Sequence, residues 1–244
     1  VFFKTIETMI LGDYAGKVPS EMLMLQRGQT IPSDVASMKG KRMIVASEIE
    51  QGKRLAESRL KDLTGGDTIV ARKMHEDWFE YEPTHKLWIF GNHKPAANPD
   101  DAGTWRRIKL IPFTVTIPEE ERVESSILLD GFRREAPGIL NWALEGYTEY
   151  REKGLMTPPD VLMATREYRN ENDLIGAWIE ECCALEPTTK TLFRNVYDSF
   201  LRWLEDNHER EISSRAFSKR IRERGFNIAK RTAGEMYVSG INII

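Results

Sequence analysis

Two carboxylates, Glu48 and Glu50, close the apolar run Met43-Ile44-Val45-Ala46-Ser47. An apolar run that ends in acids reads as a strand buried on both faces, delivering charge to the carboxyl edge of a sheet. That edge is where open α/β sheets bind ligands. A nucleoside-triphosphate site needs one acid to hold Mg2+ through its water shell and another to orient or deprotonate the attacking water, and this pair fits. The pair fits an ordinary strand just as well, followed by a helix whose acidic first turn suits the helix dipole. Asn92 ends a second apolar run, Leu87-Trp88-Ile89-Phe90-Gly91. Its neutral amide could sit between metal, water and terminal phosphate, although Gly91-Asn92 is also a turn signal. Arg106 and Arg107 supply guanidinium groups of the kind that stabilise a transferring phosphoryl group, including one held by a neighbouring subunit; alone they read as solvated arginines before an edge strand.

The elements that must position these groups follow from pattern. Residues 1–11 have helical spacing of apolar residues closed by Gly12, and residues 12–37 read as loop, punctuated by Gly16, Pro19, Gly28 and Pro32. A strand over Arg42–Ser47 leads to a helix over Gln51–Leu63, with Leu55, Leu60 and Leu63 on its apolar side and Gly65-Gly66-Asp67 ending it. From Thr68 to Glu82 the period changes to two around His75-Glu76-Asp77, a β-hairpin with a charged tip. Residues 86–92 form a second buried strand and residues 106–113 a third, stopped by Pro112. Strands separated by such excursions predict a mainly parallel sheet. Helices follow from Glu119, one carrying Pro137 in its first turn with Ile139, Leu140, Trp142 and Leu144; Gly154–Pro159 reads as a linker.

The carboxyl-terminal part has a different logic. Residues 174–185 and 191–204 are amphipathic, and Ser213 caps a third helix to Arg224, ended by Gly225. Residues 226–243 alternate around Gly234 like a two-stranded ribbon. Three helices and a ribbon are the pattern of a winged helix. Residues 213–231 hold seven basic side chains against Glu223 alone, a local charge of +6 that leaves −9 on the rest of a chain whose net charge is −3. Such a block predicts a polyanion-binding surface, with Arg215, Lys219, Arg220 and Arg222 on the helix and Lys230 and Arg231 on the wing able to contact phosphates.

Composition bounds the alternatives. A 41% hydrophobic and 30% charged chain is that of an ordinary globular protein, and no apolar stretch approaches a membrane span. No membrane partner is expected, and a cytoplasmic location follows by default. Cys182 and Cys183, adjacent in sequence, exclude a disulfide framework and read as helix packing; the four histidines lack zinc-ligand spacing.

Four stretches in order carry a more specific signal: Ile44-Val45-Ala46-Ser47-Glu48-Ile49-Glu50, Leu60 through Asp67 with Ala71-Arg72, Leu87 through Asn92, and Arg106 through Phe113. They resemble the motifs of superfamily 3 helicases in the phage and plasmid primase-helicase family, which is related to the poxvirus primase-helicase. The resemblance implies an AAA+ type core, a homo-oligomeric ring that is a hexamer, and translocation on DNA driven by ATP and Mg2+. By matching motifs, Glu48 and Glu50 fall on the Walker B acids, Asn92 on sensor 1, and Arg107 with Arg106 beside it on the arginine finger. Lys61, Arg72, Lys73 and His75 fall on the region that grips single-stranded DNA in the central channel, leaving duplex to the winged helix. The cationic hairpin tip suits tracking of phosphates, and equally a surface hairpin protected against edge pairing.

The expected organisation is therefore α/β: a partial AAA+ core over residues 1–118, a helical continuation over 119–169 and a winged helix over 170–244. The sequence contains no G-x-x-x-x-G-K-[ST] loop, and a segment like Val1-Phe2-Phe3-Lys4 follows that loop in the family. The expectation is a chain cut at the phosphate loop that alone hydrolyses little or no ATP. Two other readings stay open. One is a non-enzymatic winged-helix DNA-binding protein with an α/β scaffold; the other is a metal-dependent nuclease using Glu48, Glu50 and Asp67.

Overall fold

The structure is a computed structural model and describes residues 1–26, 32–230 and 234–244. Along the chain run α1 (Phe2–Ile6), β1 (Ala15–Pro19), α2 (Pro32–Ala36), β2 (Met43–Ser47), α3 (Glu57–Thr64), β3 (Ile69–Ala71), β4 (Phe79–Tyr81), β5 (Lys86–Phe90) and α4 (Ala102–Trp105). Then come α5 (Ser125–Arg134), α6 (Ala136–Lys153), α7 (Pro159–Glu171), α8 (Leu174–Cys182), β6 (Cys183–Leu192), α9 (Phe193–Asp206), α10 (Ser214–Glu223), β7 (Ile228–Lys230) and β8 (Met236–Ile243). Two compact units result: residues 1–97 with 106–165, and residues 98–105 with 166–244.

The first unit is built on a parallel sheet in the order β1-β2-β5, the sheet type predicted. β2 lies in the middle, with Met43, Ile44, Val45 and Ala46 all buried, because a strand flanked on both sides has no solvent face to leave polar. β1 falls in a stretch expected to be loop. Gly16, Lys17 and Pro19 are poor strand formers, but an edge strand tolerates a proline, and this one ends on it. The opening helix forms, passes through a π-helical turn at Glu7–Leu11 and is turned by Gly12 at φ 50°. β5 pairs as expected but is not buried, since it is an edge of this sheet; Phe90 is 44% exposed.

Two other expectations are corrected. The helix predicted from Gln51 starts only at Glu57, because Leu55 donates its N–H to the Ala96 carbonyl at 2.8 Å and is buried as part of a loop instead. Residues 106–113 do not form a strand. No ladder partner is present among the described residues, and the Leu110 N–H is satisfied by Thr165 Oγ at 2.9 Å. The hairpin forms with β3 and β4 antiparallel, Ile69 opposite Tyr81. α6 carries Pro137 in its first turn as predicted and buries none of its residues.

The second unit has one core, in which Trp178, Phe200, Phe217, Ile221, Val238 and Ile241 are fully or almost fully buried. Val196, Phe200 and Leu204 repeat every four residues along α9, so one face of that helix enters this core. Ser213 caps α10, its Oγ accepting the Ala216 N–H at 3.3 Å, as predicted. The sheet order is β6-β8-β7, all antiparallel, so the expected ribbon carries a third strand. Helix was predicted through Leu185, yet α8 ends at Cys182 and Cys183 opens β6; the threonines of Cys183–Leu192 favour the strand, and Pro187 falls where its register with β8 breaks.

Candidate functional site

Backbone pairing brings the residue after β2 beside the end of β5. Glu48 follows β2 and donates its N–H to the Phe90 carbonyl at 3.1 Å, extending the β2–β5 ladder to the residue two before Asn92. Its own carbonyl accepts from Ser20 Oγ at 3.2 Å. A Cβ on Gly91 would stand 3.4 Å from the Ile49 nitrogen and 3.8 Å from the Glu48 Cα, ordinary contact distances, so Gly91 lies directly beside the Glu48-Ile49 backbone. Between the exposed Glu48 and Glu50, Ile49 is buried and pins the turn. Glu50 accepts from Lys53 at 2.9 Å; the hydrogen bond and the charge of Lys53 hold the Glu50 carboxyl below its ordinary range, and the lysine is raised in return. Both groups are exposed, so the pair orients Glu50 more than it stabilises the fold.

Glu48 has φ 57°, and His75 has φ 62°; together with His208 they are the described non-glycine residues with positive φ. Holding a side chain in this region costs on the order of 1 kcal/mol, and such residues cluster at functional sites. Two of the three were singled out from sequence.

Arg107 is half-buried, and its Nη2 lies 3.8 Å from where a Cβ on Gly65 would stand, with the Asp67 carboxylate on the same glycine. It therefore belongs to the carboxyl end of α3, while Arg106 beside it is exposed. The hairpin presents Arg72, Lys73 and His75 to solvent, with Lys61 half-buried on α3. Arg72 stacks over the Trp78 ring at 4.8 Å and Lys73 pairs with Glu76 at 3.7 Å.

On α10, Arg215, Lys219 and Arg222 recur at i, i+4 and i+7 and are exposed, opposite the buried Phe217 and Ile221; Arg220 lies between and is half-buried. Lys219 is 3.6 Å from Glu223, and Lys230 is exposed at the end of β7. Arg231 and Gly28 lie outside the described residues. Arg224, counted in the basic block, is turned inward onto Asp100 at 3.1 Å and onto Asp173, so it adds nothing to the surface charge.

Sequence reasoning missed Ser20, Lys53, Trp78 and the carboxylates on Arg224. Only Lys53, three residues from Glu50, had a local signal. Among the described residues no group of three or more His, Cys, Asp or Glu side chains is placed to hold a metal, and the nuclease reading gains no site from Glu48, Glu50 and Asp67. No described helix is long and apolar enough to cross a membrane.

Residues 7–107 match a family of unknown function (DUF5906), and residues 170–234 match the family described as poxvirus D5 protein-like. The chain is 25% identical to the "Putative helicase" of Acanthamoeba polyphaga mimivirus over 217 residues, covering 81% of this chain and 23% of that protein. It is 23% identical to the "Putative primase" of African swine fever virus (isolate Warthog/Namibia/Wart80/1980), over 84% of this chain and 24% of that one. A solved structure, the A form apo NrS-1 C terminal region, aligns with 99% of this chain and 62% of its own at TM-score 0.48 and 11% identity. The chain is thus similar over most of its length to proteins named as helicases and primases of large DNA viruses. It spans about a quarter of the length of the curated relatives it matches.

Proposed function

We propose that this chain is part of an ATP-dependent DNA helicase of the superfamily 3 primase-helicase type, with an AAA+ type core to about Pro118, a helical continuation to about Arg169 and a winged helix from residue 170. The observation that carries the reading is the pairing of Glu48 with Phe90 and its closeness to Gly91, at the ends of adjacent parallel strands and one residue before Asn92. Glu48 and Glu50 would hold Mg2+ through its water shell; the ion needs only one or two carboxylates beside the phosphates, so two exposed acids suffice. Bound Mg-ATP supplies the metal charge and the phosphoryl group. Glu48, on a fixed backbone turn, would orient water; Asn92 would accept and donate hydrogen bonds to the terminal phosphate and that water; and Arg107, from a neighbouring subunit, would neutralise the charge that develops.

Three further features support it. The order α8, β6, α9, α10, β7, β8 with sheet order β6-β8-β7 fits a winged helix, whose α10 would lay Arg215, Lys219 and Arg222 on duplex phosphates. The hairpin's Arg72, Lys73 and His75, with Lys61 on α3, suit single-stranded DNA in a channel. The uncovered apolar residues of α6, Leu140, Trp142, Leu144 and Tyr147, suit assembly into a homo-oligomeric ring, a hexamer in this reading.

ATP turnover also needs a phosphate cradle, which these 244 residues lack. The chain alone is expected to release little or no phosphate from Mg-ATP, and one extended by a G-x-x-x-x-G-K-[ST] segment to do so. Release by the 244 residues at the rate of the extended chain would contradict the assignment. A second reading, a non-enzymatic DNA-binding protein, rests on the second unit's separate core beneath its basic face. It predicts duplex affinity that is unchanged in Glu48→Gln and Asn92→Ala, and no turnover in any extended form.

A further inference from the structure

The chain leaves the first unit after Ala97 and re-enters it at Arg106; the eight residues between are built into the second unit. They are held there at several points. Asp100 receives Arg224 at 3.1 Å, and the Pro99 carbonyl accepts from Arg169 Nε at 2.7 Å. The Trp105 ring packs edge-on to Tyr168 with centroids 5.1 Å apart, and its Nε1 donates to the Asn98 carbonyl at 2.7 Å. Asp101 caps the single turn of α4, accepting the Thr104 N–H and hydroxyl at 3.2 Å each, and both Thr104 and Trp105 are buried. Arg106 is the next residue.

Arg224 is also the C-cap of α10, the helix that presents Arg215, Lys219 and Arg222. Its guanidinium sits between two carboxylates from distant parts of the chain, Asp100 and Asp173, and Asp173 is itself fixed as the N-cap of α8 through the Gly176 N–H at 2.8 Å. One cation therefore faces two anions, and Asp100 Oδ2 and Arg224 Nε are both buried with no partner among the described residues. A cluster selected for stability alone would satisfy both atoms, since an incomplete buried ion pair gains little over apolar packing.

We propose that Arg224 is a positioning residue that carries the state of the basic helix to Arg106 and Arg107. It does so by holding the Asn98–Trp105 segment, from which the arginine pair emerges, to the end of α10. Phosphate contacts at Arg215, Lys219 and Arg222 order α10 to its last turn, fix the Arg224 fork on Asp100, and so fix the backbone that leads into Arg106. DNA at the second unit then sets how firmly the arginine finger is presented. The proposal rests on the reading of α10 as a DNA-binding helix and of Arg107 as a nucleotide-sensing arginine.

Hydrogen exchange of the chain with and without a saturating 20-base-pair duplex, alongside a fluorescence-anisotropy isotherm with the same duplex, tests it. Duplex is expected to slow exchange of amides in residues 98–107 by about threefold or more. In Arg224→Gln and Asp100→Asn that slowing disappears while duplex affinity stays within about twofold, because neither side chain lies on the exposed face of α10. Arg224→Lys, which keeps the charge without the fork, restores part of it. If Arg224→Gln fails to fold, Asp100→Asn, which leaves the Asp173 pair intact, decides. Unaltered slowing in Asp100→Asn, or no slowing in the unaltered chain while it binds duplex, overturns the proposal. An isotherm showing no duplex binding overturns the reading of α10 and this proposal with it, so the two failures are told apart.

Discussion

Replacing Glu48 separates its backbone role from its carboxylate. At φ 57° the residue is in the left-handed region, where a Cβ crowds the following carbonyl and costs about 1–2 kcal/mol. Glycine escapes that cost but loses about 0.5–1 kcal/mol through the greater freedom of the unfolded chain. The two hydrogen bonds that fix the turn, Glu48 N–H to Phe90 O and Ser20 Oγ to Glu48 O, use only backbone atoms of Glu48 and survive either substitution. Glu48→Gly should therefore be more stable than Glu48→Ala by about 0.5–1 kcal/mol, the reverse of the usual order of these residues. That corresponds to about 2 °C in the transition of a unit this size. Urea titration read by exchange of the Met43–Ser47 amides measures it locally, without requiring the whole chain to unfold in one step. An alanine variant as stable as the glycine variant would refute the strained turn. Neither variant should support turnover in an extended chain, because both lack the acid.

Other outcomes follow from burial and space. Burial holds the His85 imidazole below its ordinary value, with the Leu63 backbone pulling the other way and Lys86 adding to the depression. The unfolded chain takes up that proton near pH 6.5 and the folded chain only at lower pH, so the first unit should keep this stability above about pH 6.5 and lose it as pH falls. His85→Leu should flatten the slope in a chemical-denaturation series, and an unchanged slope would remove His85 as its source. On α8, a Cβ at Gly176 would come within 2.7 Å of Asp173 Cγ, so Gly176→Ala should destabilise the second unit by about 1–2 kcal/mol. On α6 a Cβ at Gly146 meets nothing within 4 Å, and Gly146→Ala should stabilise by about 0.5–1 kcal/mol in the same thermal assay. Arg215→Ala with Lys219→Ala should lower duplex affinity and reduce the salt slope by about 2, measured by anisotropy at several salt concentrations; an unchanged slope would place the phosphate contacts elsewhere.

What was legible in the sequence was local. β2 announced itself by four consecutive apolar residues, the hairpin by its period, and α10 by Ser213 and Gly225. β1 and β6 were not legible, because Gly16, Pro19 and Pro187 argue against strands and only pairing with β2 and β8 overrides them. Residues 106–113 have strand composition, yet composition supplies no partner, and Thr165 takes the Leu110 N–H. The same divide runs through the site. Glu48, Glu50 and Asn92 could each be chosen by type, but the pairing of Glu48 with Phe90 appears only in the sheet. Arg224 was indistinguishable from its basic neighbours until Asp100, 124 residues away, turned it inward.

The decisive measurement is ATP-driven separation of a forked duplex by an extended chain that carries a phosphate-binding loop ahead of Val1. Unwinding should require Mg-ATP and fall by about a hundredfold or more in Asn92→Ala, while binding of the fork is retained. Unwinding without ATP, or at an undiminished rate in Asn92→Ala, would contradict the proposed function.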